Sequence, residues 1–127
     1  MPRPRRFLLS NQSRAFTPTD IPGLALWLDA SDAATITLDG SSNVSQWSDK
    51  SGNGFHATQG DPARQPTAGG LINGHASIRL DSAGAGDLNS DALTINDSLN
   101  IGVHPYTVFI VDQYWGGTQG RTLQGRD

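Results

Sequence analysis

The stretch from Ile21 to Gln59, IPGLALWLDASDAATITLDGSSNVSQWSDKSGNGFHATQ, constrains the fold more than any other part of the chain. Short alternating runs are each closed by Asp, Asn, Ser or Gly, and two tryptophans, Trp27 and Trp47, interrupt them. A period of two sends successive side chains to opposite faces of a strand. Asp, Asn and Gly close the turns between strands through local hydrogen bonds or positive φ. The pattern predicts an all-β chain, an antiparallel β-sandwich with polar, oxygen-rich loops. Loops of that kind bind sugars, metal ions or protein surfaces, while the strands beneath hold them in place.

The acidic residues sharpen this expectation. All are Asp, with no Glu anywhere, and Lys50 is the one lysine. Glu and Lys decorate the solvent faces of helices, whereas Asp belongs in turns and caps. Fifteen glycines and seven prolines suit a chain of many turns. At 127 residues the chain is one domain at most. Charged residues are only 17%, so the surface is expected to be largely neutral and polar, as on a protein exposed outside the cell.

Charge is unevenly placed. Arg3, Arg5, Arg6 and Arg14 all precede the first acid, Asp20, and the remainder is net acidic. Residues 1–20 read as an extended basic arm, kept open by prolines and carrying Phe7, Leu8, Leu9 and Phe16 as apolar anchors. Such an arm is either solvated or docked on an acidic partner, such as a neighbouring subunit. Four arginines against an acidic body argue against nucleic acid as the partner. Phe7-Leu8-Leu9 is too short for a signal peptide's apolar region, and no apolar run approaches the ~20 residues that span a bilayer. Without cysteine the chain gives no reading of redox compartment.

Beyond the arm, strands are expected at 24–28, 35–38 and 44–47, with a short edge strand at 55–59. The segment 61–70, with two prolines and paired glycines, reads as loop. Asn73-Gly74 signals a turn ahead of a strand at 76–80, with Ile78 and Leu80 inward, and Leu93 and Ile95 mark another. Tyr106–Val111 is the one continuous apolar run, placed at the centre of a sheet and buried on both faces. Arg121–Leu123 looks like a strand just beginning. A sandwich ending there would leave an edge unpaired, which anticipates further chain or a covering subunit.

Four segments carry a family resemblance: LALWLDASD (24–32), VSQWSDKSGNGFHATQ (44–59), LINGHASIRLD (71–81) and YTVFIVDQY (106–114). They resemble the concanavalin A-like, or laminin-G-like, jelly-roll domains of phage structural proteins and bacterial surface proteins. The resemblance spans residues 21–127 and matches the first half or so of a full domain. It implies a virion component in a tail fibre, head fibre or decoration protein, on the particle's outer surface. Its partners would be other capsid or tail subunits, further copies of itself and host glycans. The alternative it implies is a carbohydrate-binding module at a bacterial surface or outside the cell.

Candidate sites follow from the loops. Trp47, Asp49, Ser51, Asn53 and His56 gather around one tight turn and form either a closed turn or a small polar pocket with an aromatic platform for a sugar ring. Trp115, beside Gly116-Gly117, is a second candidate platform or subunit contact. Asp87, Asn89 and Asp91 are spaced two apart, as at the start of a calcium loop, but Ala92 and Ser98 stand where that loop needs Gly and Glu. Asp29 and Asp32 are further candidates for a looser calcium site. Nothing marks an enzyme. The glucanase relatives of this fold use glutamates, and there is no Gly-x-Ser-x-Gly elbow or histidine metal spacing. No cofactor is expected.

Overall fold

The computed structural model describes residues 14–81, 90–95, 99 and 105–113. Within them the protein is all-β, with two antiparallel sheets, short 3-10 turns and no α-helix. No helix among these residues is long and apolar enough to cross a membrane.

The first sheet contains β1 (Ile36–Leu38), β2 (Val44–Trp47), β3 (Ala57–Thr58) and β6 (Thr94–Ile95), in the order β1-β2-β3-β6. Asp39 shapes the β1–β2 turn. One carboxylate oxygen accepts from the amides of Ser41 (2.7 Å) and Asn43 (2.9 Å), and the other accepts from Asn43 Nδ2 (3.0 Å). This is the Asx geometry for which Asp is favoured in turns. The segment 55–59, expected at an edge, instead supplies β3 between β2 and β6. Gln59 helps hold β6 there by donating from Nε2 to the Ala92 carbonyl (2.9 Å).

The second sheet is a hairpin of β4 (Thr67–Ile72) and β5 (His75–Arg79). Asn73 and Gly74 both have positive φ, 50° and 83°, as a two-residue type I′ turn requires. The expectation that 61–70 is loop fails over its last four residues. Its glycine pair makes a bulge inside a strand, with Ala68 opposite Ile78 and Gly70 opposite Ser77. Gly70 is there for space, since a Cβ would lie 2.6 Å from Ser77 Oγ. Two backbone bonds tie the hairpin to the first sheet, from Val44 N to Pro66 O (2.7 Å) and from Ala68 N to Ser42 O (3.3 Å).

The buried centre is small, comprising Val44, Ala57 and Pro66 with Thr35 and Gln65 at its border. Ile78 is half-buried, but Leu80 is exposed rather than inward. Tyr106–Val111 is the largest departure from expectation. It forms no strand, and Phe109 and Val111 are 86% and 85% exposed. A central position needs a paired strand on either side, and among the described residues neither sheet includes this segment.

Candidate functional site

The segment 24–28 is not a ladder strand because its backbone is hydrogen-bonded by the loop that follows β2. Trp27 N donates to Asp49 Oδ1 (3.0 Å), and the Trp27 carbonyl accepts from Lys50 N (2.8 Å). Asn53 Nδ2 lies 2.9 Å from the Leu24 carbonyl and 3.0 Å from that of Ala25. Ser51 Oγ sits 2.7 Å from Asp49 Oδ2 and 3.1 Å from the Ala25 carbonyl. Its single proton favours the carboxylate, because hydrogen bonds to charged acceptors are the stronger ones. Side chains of the loop thus act as the missing neighbour strand.

Asp49 is the hub. Besides Trp27 and the Ser51 hydroxyl, its carboxylate accepts from Ser51 N (2.8 Å) and Phe55 N (3.1 Å). Partial burial works against its ionisation, but the bonds from Trp27, Ser51 and Phe55 outweigh it and hold the carboxyl below the usual range. The amide of Asp49 donates to His56 Nδ1 (3.0 Å), which fixes that nitrogen as an acceptor and leaves the proton of neutral His56 on Nε2.

Next to this hub lies an ion cluster. Lys50 Nζ is 3.0 Å from Asp29 Oδ2, 2.8 Å from Asp32 Oδ2 and 4.4 Å from the centroid of the Trp27 ring. The hydrogen bonds to Asp32 and Asp29 raise the Lys50 pKa. Asp32 is lowered chiefly by Lys50. Asp29 is lowered chiefly by the Ser31 hydroxyl, against partial burial and with help from Lys50. The pair suggested for calcium is therefore bridged by an ammonium, and one face of Trp27 is covered by it.

Asp49, Ser51, Asn53 and His56 are joined by hydrogen bonds, but the Asp49 carboxylate and Asn53 Nδ2 are engaged within the chain. Trp47 lies on β2 opposite Ile36 and Ala57, and its indole Nε1 is buried without a protein partner. Arg14 pairs with Asp20 of its own chain, and Phe16 is exposed. Asp91 accepts from the Asp81 amide through Oδ2 (2.9 Å). Arg3, Arg5, Arg6, Phe7, Leu8, Leu9, Asp87, Asn89 and Trp115 lie outside the described residues. Among the described residues no group of three His, Cys, Asp or Glu could hold a metal ion.

Sequence reasoning singled out Asp49, Ser51 and Asn53 but gave no site role to Lys50 or Trp27. The signal was present: the chain's one lysine follows Asp49, and two aspartates stand three apart after Trp27. No family model, curated protein or solved structure matches this chain.

Proposed function

We propose that the chain is a structural, assembling module: a virion component of the concanavalin A-like type that docks through residues 1–20. In this reading its two small sheets belong to a β-sandwich presented for assembly or host attachment. The observation that carries it is the uncharged apolar run Tyr106–Val111, which is exposed, while the polar groups of the 49–53 loop serve the fold. An exposed apolar segment in a neutral-polar surface is characteristic of a contact region. A sugar site would need free polar groups near an aromatic face. Here Asp49 and Asn53 are engaged, and Lys50 covers one face of Trp27.

The test is location and contact in the particle. A photo-cross-linking residue at Phe7 should join the chain to a capsid or tail protein in purified virions from the source culture. Absence of the chain from purified virions would overturn the proposal.

A further inference from the structure

The geometry points to strand exchange between two copies of this chain, with Tyr106–Val111 of one copy lying along the open edge of β1 in the other. Phe109 enters the apolar groove beside that edge. The inference rests on reading the chain as an assembling module. Donor and acceptor are both present in the described residues. The donor lies outside both sheets, and its exposure alternates: Tyr106, Val108 and Ile110 are 63%, 45% and 47% exposed, whereas Phe109 and Val111 stand almost free. The acceptor edge belongs to β1, the end strand of its sheet, where Leu38 is exposed. An unpaired strand edge is a template for an added strand.

The groove lies between β1 and the hairpin and is lined by Ala30, Ala33, Ile36, Leu38, Ala68 and Ile78 among others. Its volume is about 150 Å³. A groove of that volume has room for a benzene ring, which is the ring Phe109 carries. Charge raises no obstacle, since neither 105–111 nor the lining of the groove contains an ionisable acid or base other than the Tyr106 phenol.

Area decides between one-way and reciprocal exchange. Tyr and Phe bury about 150–250 Å² each, and Val108, Ile110 and Val111 add to that. With the matching acceptor surface, one contact buries on the order of 1,000 Å², the lower bound for a specific interface. Reciprocal exchange about a two-fold axis doubles this to the standard size and closes the assembly, where one-way exchange would propagate.

Sedimentation and mixed cysteine pairing test the inference. The wild-type chain should be a dimer at micromolar concentration, and Phe109→Asp and Ala33→Trp should each weaken self-association at least tenfold. Mixing those two variants should restore a single-contact dimer, because one keeps the groove and the other keeps the strand. The chain has no cysteine, so Leu38→Cys and Phe109→Cys, on differently tagged copies, should form mixed disulfide dimers in preference to a Leu38→Cys and Phe16→Cys control. A wild-type monomer at 100-fold higher concentration would overturn the exchange, as would pairing no better than the control. A monomer that still docked on particles through residues 1–20 would overturn the exchange and leave the virion role standing.

Discussion

Replacing Asp49 by Ala removes the acceptor for four donors at once: the amides of Trp27, Ser51 and Phe55 and the Ser51 hydroxyl. A hydrogen bond to a charged group contributes about 1.5–3 kcal/mol, and a neutral one about 0.5–1.5 kcal/mol. The site is only half-buried, so water replaces part of what is lost. The net loss should be about 3 kcal/mol, less than the sum of the separate bonds because they share one carboxylate. For a chain of this size that lowers Tm by about 10 °C. Asp49→Asn should fall between wild type and Asp49→Ala, since its amide group turns a donor toward donors already there. Circular dichroism melts, with urea midpoints read at constant m-value, measure both variants. A Tm for Asp49→Ala within about 2 °C of wild type would refute the argument that this carboxylate holds segment 24–28 in place.

Other perturbations follow from the same geometry. Lys50→Met leaves Asp29 and Asp32 facing each other without a cation; Tm should fall, and adding Asp32→Asn should recover part of the loss. Gly70→Ala puts a Cβ against Ser77 Oγ and should cost about 1 kcal/mol, whereas Gly70→Ala with Ser77→Ala should be close to Ser77→Ala alone. Asp29, Asp39 and Asp49 have folded pKa values below their unfolded ones, so their contribution is present above about pH 4 and lost as pH falls through the folded values. Lys50 is raised, so its contribution is complete below about pH 10.4 and lost above the folded value. Melts should therefore fall steeply below pH 4, and Asp49→Asn should blunt that acid limb.

Local patterns were legible in the sequence, and nonlocal pairings were not. Val44–Trp47 alternates and is bounded by turn residues, and it is a strand over those four residues. Asn73-Gly74 adopts the turn its dipeptide favours, because both residues tolerate positive φ. Thr67–Ile72 was hidden because Gly69-Gly70 signals a turn locally, while its use here, a bulge facing Ser77, depends on a partner strand. Leu24–Leu28 has the alternation of a strand but bonds to side chains of a loop more than twenty residues away. Tyr106–Val111 has the composition of a central strand, yet centrality is conferred by neighbours, and the described residues provide none. At the site, the Asx chemistry of Asp49 and Asn53 was readable. That Lys50 would bridge Asp29 and Asp32 was not, because it requires the fold that joins residues 29 and 50.

The surface divides in two: polar loop groups hold the chain's own backbone, and the apolar run 106–111 is exposed. Hydrogen–deuterium exchange on dilute and concentrated protein measures both halves together. Peptides covering 24–28 and 49–56 should be protected at either concentration, and the peptide covering 106–111 should exchange freely when dilute and slow when concentrated. Fast exchange at 24–28 with unchanging protection at 106–111 would contradict this division.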